Sequence, residues 1–200
     1  MGSRQNPEDA VSKARKKSKS KTRLPGDPDW KQETERMIRV DHAGEYGAVR
    51  IYEGQLSVLG KSAIAPVIEH MAEQERRHLD AFDKLVPERR VRPAALLPLW
   101  HAAGFALGAG TALLGEKAAM ACTVAVEEVI DEHYAAQIAK LDAEGGEEDL
   151  RDTLETFRQE EVEHKETAFE NGAGEAPGYE VLTGAIKAGS RLAIWLSTRI

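Results

Sequence analysis

Apolar residues recur at helical spacing through most of the chain, and on four segments a glutamate interrupts the apolar face. One such face is built from Ile64, Ile68, Met71, Glu75, His78, Leu79, Phe82 and Leu85. Glu75 and His78 lie three residues apart in the middle of this face. A carboxylate on a buried face is unfavourable unless a cation meets it. The pattern therefore predicts a helix with a chemical role at its centre.

Three further segments show the same pattern. The four predicted helices cover 30–59, about 62 to just before Pro87, 116–141, and the segment after the turn at 144–149. In the other three helices the acidic residue on the apolar face is Glu45, Glu127 or Glu161, and His164 follows Glu161 by three residues. Four helices with inward carboxylates favour a bundle built around a polar layer.

The motifs repeat along the chain. Glu45 precedes the Glu75-x-x-His78 pair by 30 residues, and Glu127 precedes the Glu161-x-x-His164 pair by 34. A single E-x-x-H pair is weak because it arises often by chance. The repeated set supplies four carboxylates and two imidazoles, which is the ligand set of ferritin-like dinuclear bundles. The predicted metal ligands and catalytic residues are Glu45, Glu75, His78, Glu127, Glu161 and His164.

The donor types also bear on which metal would bind. Carboxylate and imidazole ligands without thiolate suit iron or manganese better than structural zinc. Four glutamates at −4 and two divalent ions at +4 are neutral together, which would resolve the cost of burying the acids. The pattern therefore predicts two metal ions held between the four helices.

Two apolar segments lie outside these four helices. Residues 94–115 form a stretch of 22 residues without a formal charge, and 179–200 are amphipathic to apolar. As a helix the first would be about 33 Å long, enough to span a bilayer. A single span would place the two halves of the site on opposite sides of the membrane. We therefore predict an all-α, ferritin-like four-helix bundle with two additional apolar, membrane-facing helices.

Charge is distributed unevenly along the chain. Residues 1–29 carry eight Lys/Arg and four acids, a net +4, so the remaining residues carry −7 − 4 = −11. We interpret 1–29 as a disordered basic arm and 30–200 as the di-iron domain. An acidic domain argues against nucleic acid as a partner. The single cysteine, Cys122, excludes an internal disulfide, and no secretory signal peptide is apparent.

Several other polar residues have roles that the pattern leaves open. Asp41 and Asp131, one turn from a site glutamate, are candidates to hold the second nitrogen of the histidines. Glu160 and Glu163 compete with Glu161 as ligands, and His133 beside Tyr134 could face a substrate channel. The remaining polar residues are interpreted as ordinary helix, surface or core residues: His42, His70, His101 and Cys122.

Three motifs resemble a known family. They are RVDHAGEYGAVRIYEGQ at 39–55, FALGAGTALLG at 105–115 and ACTVAVEE at 121–128, and they are similar to the demethoxyubiquinone hydroxylases. The resemblance covers Glu35 to Ile200 and is carried by long, specific motifs. Matched motif by motif, the family's iron ligands fall on the six residues named above. The resemblance thus selects the same set as the periodicity.

The resemblance implies an activity and its requirements. It implies a di-iron monooxygenase of ubiquinone biosynthesis, which hydroxylates the ring of a polyprenyl demethoxybenzoquinone with O2 and two electrons. It implies NADH as the electron source, although the chain has no G-x-G-x-x-G dinucleotide loop, so another reductant stays open. The substrate and the membrane lipid surface are the implied partners. Family members in mitochondria also work with a lipid-binding protein, and a homo-oligomer stays open.

The implied location is peripheral on the inner membrane. In a bacterium this is the cytoplasmic face of the cell membrane, and in a eukaryote the matrix face of the mitochondrial inner membrane. Two alternatives remain from the residues alone: another ferritin-like di-iron oxidase, such as a ferroxidase or peroxide reductase, and a metal-free helical adaptor at a membrane.

Overall fold

A computed structural model describes Gly26 and residues 28–200, and this part of the chain is helical without a β-strand. The helices are α1 (Trp30–Leu59), α2 (Ala65–Glu88), α3 (Leu97–Leu113), α4 (Glu116–Glu144), α5 (Glu148–Glu170) and α6 (Tyr179–Ser197), with a short 3-10 helix at Ala173–Glu175. The prediction of an all-α fold is confirmed. The predicted arm at 1–29 lies, apart from Gly26, Pro28 and Asp29, outside the described residues.

Local sequence signals explain where the helices begin and end. α1 begins after Asp29, whose carboxylate accepts the backbone N–H of Gln32 at 2.8 Å in a reciprocal capping box. α2 was predicted to end before Pro87, but the helix continues to Glu88 and includes this proline in its last turn. α3 is shorter than the predicted 94–115. It starts with Pro98 in its first turn, and Gly115, with φ of +113°, separates it from α4.

Four helices form a bundle and two more cover its outside. α1 packs against α2 and α4 against α5, and the two pairs meet along α1–α4 and α2–α5. α3 lies along α1, and α6 lies along α4. On the α4–α6 contact, Lys187 pairs with Glu128 at 2.8 Å and Arg191 with Glu132 at 2.9 Å. The two halves of the sequence repeat therefore correspond to two structural units of three helices each, α1 to α3 and α4 to α6.

The contact between α1 and α3 depends on small residues. A Cβ atom at Gly104 would collide with the carbonyl oxygen of Gly47, and one at Gly108 with that of Ile51. Of the interior glycines of α3, Gly104 and Gly108 thus serve close packing, whereas a Cβ at Gly110 would meet no atom of the described residues within 4 Å. The backbones of α1 and α3 therefore approach each other closely only along one edge of α3.

The bundle core has an apolar layer on each side of the predicted site. One layer includes Tyr52, Met71 and Val124, and the other includes Ile38, Phe82, Tyr134 and Leu154. Along every bundle helix the site residues fall between members of the two layers. These layers keep water away from the polar residues between them.

The outer helices carry apolar side chains that the fold leaves exposed. Those of α3 are Leu99, Phe105 and Leu113, and those of α6 are Val181, Leu192 and Trp195. Among the described helices, none combines the length and the apolar character needed to cross a membrane. Whether the outer helices face a membrane stays a prediction at this point.

Candidate metal centre

The six predicted site residues lie together in the layer between the two apolar clusters. Each of them is at most 1% exposed. α1 and α4 each contribute one glutamate, and α2 and α5 each contribute a glutamate and a histidine on successive turns. The residues brought together are Glu45, Glu75, His78, Glu127, Glu161 and His164. Their assignment as metal ligands stays a prediction, while their convergence is a property of the fold.

Their side-chain atoms form two overlapping groups. One group joins Glu45, Glu75, His78 and Glu161, and the other joins Glu75, Glu127, Glu161 and His164. Within each group the candidate ligand atoms lie within 4.8 Å of one another. Because Glu75 and Glu161 belong to both groups, each could supply one oxygen to each of two ions. The arrangement thus offers two adjacent cation positions with two shared carboxylates.

Both histidines present the same ring nitrogen to the glutamates. Nδ1 of His78 lies 3.1 Å from Glu161 Oε1 and 3.4 Å from Glu45 Oε2. Nδ1 of His164 lies 3.2 Å from an oxygen of Glu75 and 3.2 Å from one of Glu161. A cation bound here would therefore meet Nδ1 of each imidazole.

Two tyrosines donate hydrogen bonds between α1 and α4 to the glutamates that these helices contribute to the site. The hydroxyl of Tyr52 on α1 donates to Glu127 Oε1 of α4 at 2.8 Å, and that of Tyr134 on α4 donates to Glu45 Oε1 of α1. Each tyrosine follows the glutamate of its own helix by seven residues. The spacing was visible in the sequence as a second repeat, but the prediction did not use it.

Glutamines at equivalent positions continue this symmetry. Gln55 and Gln137 each follow the glutamate of their own helix by ten residues. Gln55 donates to Ala119 O at 3.1 Å and lies 3.4 Å from Thr123 Oγ1, and Gln137 donates to Asp41 Oδ1 at 2.8 Å. Thr123 and Asp41 both precede a site glutamate by four residues, so the two halves are related residue by residue around the site.

The second nitrogen of each histidine is held from the opposite half. His78 Nε2 lies 2.7 Å from Glu160 Oε2, and His164 Nε2 lies 3.1 Å from Gln74 Oε1. Fixing one imidazole nitrogen in this way leaves the other free to bind a metal. The suggestion that Asp41 and Asp131 serve this purpose is wrong. Asp41 contacts His133 and Gln137, while Asp131 pairs with Arg158 and Lys165.

The remaining polar candidates have other surroundings. Glu163 is exposed, which removes it as a competitor of Glu161, and Glu160 lies behind His78 rather than among the converging oxygens. Tyr134 faces the site. His133 is 22% exposed at its side chain and 3.2 Å from Asp41. Cys122 is buried and belongs to neither group of candidate ligands.

The buried polar atoms of the site fit two divalent cations. Within Gly26 and residues 28–200, no hydrogen-bond partner meets Glu45 Oε2, both oxygens of Glu75, His78 Nδ1, Glu127 Oε2, both oxygens of Glu161, or His164 Nδ1. Buried charged groups without compensation cost several kcal/mol each. These atoms point at one another from four helices, and a shared cation would satisfy them together. Oxygen and imidazole donors without a thiolate suit iron or manganese.

Without a bound metal ion, the six site residues favour binding protons. Burial and the negative charge of Glu161 raise the pKa of Glu75 to about 8, and burial with the same neighbour raises the pKa of Glu127 well above its usual range. Burial lowers the pKa of His78, but the carboxylates of Glu161 and Glu45 outweigh it and raise the pKa to about 12. The pKa of His164 rises to about 11 against burial, through Glu161 and Glu75. The site thus strongly favours bound positive charge.

An apolar cavity of about 590 Å³ lies between α1, α3, α4 and α6, and its lining includes Gly44 and Val126, the residues directly before Glu45 and Glu127. Gly44, Gly47 and Ala48 line it from α1, while Leu107 and Ile186 line it from the outer helices. Gly44 and Ala48 flank Glu45 along the helix. A Cβ at Gly44 or Gly47 would meet no atom of residues 28–200 within 4 Å, so the cavity reaches the α1 backbone there. A flat apolar molecule could therefore lie against the helix that carries Glu45.

A family model matches most of the chain. The model described as "Ubiquinone biosynthesis protein COQ7" matches residues 32–197, which include all six site residues. Among curated proteins, the 3-demethoxyubiquinol 3-hydroxylase of Rhodospirillum rubrum is 60% identical over 180 residues, covering 89% of this chain and 84% of that protein.

Eukaryotic relatives are similar over nearly the same region. The human protein named "NADPH-dependent 3-demethoxyubiquinone 3-hydroxylase, mitochondrial" is 54% identical over 168 residues, covering 83% of this chain and 77% of the relative. The Saccharomyces cerevisiae protein named "5-demethoxyubiquinone hydroxylase, mitochondrial" is 44% identical over 181 residues, covering 83% and 78%.

Proposed function

Because the chain belongs to the COQ7 family of ubiquinone biosynthesis proteins, we propose that it hydroxylates the ring of a polyprenyl demethoxybenzoquinone at a buried dinuclear metal centre. The family and the hydroxylase activity that the sequence predicted are confirmed by the family model and by relatives at 54–60% identity. The identity of the metal, the role of O2, the reductant and the membrane belong to the proposal.

One observation supports the metal centre above all others. Four carboxylates and two imidazoles, each at most 1% exposed, converge in two overlapping groups, and eight of their buried atoms have no hydrogen-bond partner in the part of the chain that the structure describes. A structural cluster of buried acids would have its oxygens satisfied by donors from the protein. Among the described residues, two tyrosines are the hydrogen-bond donors to Glu45 and Glu127, and each orients one oxygen of its glutamate and leaves the other free. We infer that two iron ions are the intended partners.

The balance of the reaction defines what the site must accommodate. Hydroxylation replaces a ring C–H bond by C–OH with one oxygen atom of O2, and the other leaves as water after uptake of two electrons and two protons. Two iron ions, when bound, supply the activation of O2. The protein's part is to hold the ions by Glu75 and Glu161 between the halves and to exclude water by the apolar layers.

The source of the two electrons is a reduced nicotinamide in this proposal. The sequence resemblance implied NADH, whereas the human relative's name specifies NADPH. The Rhodospirillum rubrum relative's name gives the quinol as its substrate. Electrons could therefore reach the irons through the reduced ring of the substrate itself.

The cavity beside Glu45 is the proposed place for the substrate ring. It is lined by apolar and small residues and has a volume of about 590 Å³, within the range of about 300–1,000 Å³ of small-molecule sites. Since α3 and α6 form both a wall of the cavity and the exposed apolar surface, an isoprenoid tail could extend from the cavity into lipid.

A substitution at Gly44 tests the position of the ring. Gly44→Leu is expected to fill the space beside Glu45 and to lower kcat/KM for a short-chain demethoxyquinone by about tenfold or more. Iron content, measured by metal analysis, should stay at the level of the unsubstituted protein. Gly44→Ala is the matched control, because its Cβ meets nothing within 4 Å. Equal kcat/KM for Gly44→Leu and Gly44→Ala would place the ring elsewhere.

The apolar outer surface is proposed to bind the membrane peripherally. Leu192 and Trp195, one turn apart on α6, are 56% and 51% exposed, and the guanidinium of Arg199 lies 4.1 Å from the ring centre of Trp195. Exposed apolar side chains next to a tryptophan and an arginine are typical of helices that lie at a lipid interface. The human and yeast relatives are named mitochondrial. We place this surface on the inner membrane, at its cytoplasmic face in a bacterium or at the matrix face of the mitochondrial inner membrane in a eukaryote.

Charge at this surface should weaken membrane association. Leu192→Glu, at a residue 56% exposed on α6, is expected to reduce binding to vesicles of phosphatidylcholine and cardiolipin by about tenfold or more. Ala139→Glu, at an exposed position of α4, introduces the same charge as a control. Binding is measured by co-sedimentation, with iron content as a check on the site. Unchanged binding of Leu192→Glu would remove α6 from the membrane contact.

One experiment decides between this function and its alternatives. The iron-loaded protein should consume O2 only when a demethoxyquinone and a reduced nicotinamide are both supplied, and the hydroxylated ring should be found by mass spectrometry. Two bound irons without quinone-dependent turnover would instead indicate another di-iron oxidase. A protein that binds no metal would overturn the enzyme assignment, leaving an adaptor role.

A further inference from the structure

The two histidines of the centre have chemically different partners at equivalent positions of the repeat. Glu160 and Gln74 each directly precede the glutamate of an E-x-x-H motif, and each contacts the histidine of the opposite motif. His78 Nε2 meets the Glu160 carboxylate at 2.7 Å, whereas His164 Nε2 meets the Gln74 amide oxygen at 3.1 Å. The repeat therefore places an acid behind one histidine and a neutral group behind the other.

This difference changes how strongly each imidazole binds a metal ion. A carboxylate that accepts the imidazole N–H withdraws the proton more strongly than an amide, so the opposite nitrogen becomes a better electron-pair donor. Partners of this kind change metal affinity by about 10–100-fold. Arg77, 57% exposed, lies 3.6 Å from Glu160 and reduces its charge only in part, since solvent screens an exposed pair.

A second departure from the repeat places another acid on the helix that carries Glu45. Asp41 lies four residues before Glu45, and the equivalent residue before Glu127 is Thr123. Asp41 is 3% exposed, accepts from Gln137 at 2.8 Å and lies 3.2 Å from His133. The metal position at Glu45 and His78 thus has two acids beside its ligands, Glu160 and Asp41, where the position at Glu127 and His164 has the neutral Gln74 and Thr123.

We propose that the two metal positions are unequal, and that the position at His78 binds a divalent ion more tightly than the position at His164. Glu160 is the positioning residue that creates the difference, through His78. A partly loaded protein then holds its ion at His78. The inference rests on the proposed dinuclear centre, because it assigns an order of filling to that centre.

Titration of the metal-free full chain with Co²⁺ tests the order. Calorimetry, together with the visible absorption of the bound ion, is expected to give two ions per chain with affinities about tenfold or more apart. Glu160→Gln should weaken the tighter site by about tenfold or more and bring the two affinities together. Gln74→Glu should strengthen the weaker site. The double variant Gln74→Glu/Glu160→Gln should restore two unequal sites.

Histidine variants assign the effect to a position. In His164→Ala, which keeps His78, Glu160→Gln should still weaken the remaining site. In His78→Ala the same change should have no effect, because Glu160 acts only through His78. An effect of equal size in both backgrounds, or two equal affinities that neither Glu160 nor Gln74 changes, would overturn the inference. Absence of Co²⁺ and Fe²⁺ binding to the unsubstituted chain would instead contradict the metal centre itself.

Discussion

Glu161→Ala is expected to abolish hydroxylation and to reduce the bound metal from about two ions per chain to less than one. The reason is that Glu161 belongs to both groups of converging side chains and has both of its oxygens free for a cation. Glu127→Ala should also abolish turnover, but it removes a member of one group only, so about one ion per chain should remain. Metal analysis and O2 consumption measure the two effects.

The matched control for Glu161→Ala is Glu163→Ala. Glu163 lies two residues further along α5 and is exposed, so this variant should keep its iron and its activity. Circular dichroism should show helical protein in every case, because the apolar layers on both sides of the site hold the four helices together. Full activity of Glu161→Ala would remove Glu161 from the ligand set.

The stabilising effect of metal should increase steeply with pH. A group with a higher pKa in the folded than in the unfolded state stabilises the fold below its unfolded pKa, and that contribution is lost as the pH rises through the folded value. The pKa of Glu75 rises from 4.5 to about 8, that of His78 from 6.5 to about 12 and that of His164 from 6.5 to about 11. The metal-free protein should therefore lose stability continuously from about pH 5 to pH 9.

Metal binding has the opposite dependence. The ions require deprotonated carboxylates and a free imidazole nitrogen, so binding releases protons and strengthens as the pH rises. At a free metal concentration of about 100 Kd, each site adds about 2.7 kcal/mol to the free energy of unfolding. The difference in Tm between protein in excess Mn²⁺ and protein in EDTA should grow from pH 5.5 to pH 8.5.

A variant separates this effect from the general behaviour of the fold. Glu75→Gln removes the carboxyl group whose pKa rises to about 8, so the metal-free variant should show a flatter dependence of Tm on pH. The pKa of Glu161 shifts in the opposite direction. Burial raises its pKa, but His164 and His78 outweigh this and lower the pKa to about 2, so its contribution is lost only below the range of the experiment. A constant difference in Tm across this pH range would contradict the proposed exchange of protons for metal.

The sequence predicted the helices and the convergent residues because both depend on local periodicity. A single glutamate such as Glu45 on an apolar stripe must face the interior, and a bundle leaves only one place where four such residues can meet. The six residues were identified for this reason. The boundaries of α2 and α3 differed by a few residues, because α2 continues through Pro87 and α3 begins only at Leu97, with Pro98 in its first turn.

The residues around the histidines could not be predicted in the same way. Asp41 and Asp131 were considered because they lie on the same helix as a site glutamate, one turn away. The actual partners, Glu160 and Gln74, reach across from the opposite half of the repeat. Which residue faces a neighbouring helix depends on the rotation and spacing of the helix pair, and periodicity in one helix does not contain this information.

The close contact of α1 with α3 shows the same limit. Gly104 and Gly110 look alike in the sequence, but only Gly104 and its neighbour Gly108 lie against the backbone of α1. The paired tyrosines are different, because their spacing of seven residues from Glu45 and Glu127 was present in the sequence. A comparison of the two halves position by position would have identified Tyr52 and Tyr134 as partners of the site.

X-ray absorption spectroscopy of the iron-loaded protein tests the central claim most directly. The claim is that six buried side chains hold two iron ions side by side through oxygen and nitrogen donors. The spectrum should show only oxygen and nitrogen ligands and a second iron at about 3.5–4 Å, with about two irons per chain by metal analysis. Isolated iron without an iron neighbour, or a sulfur ligand, would contradict the account.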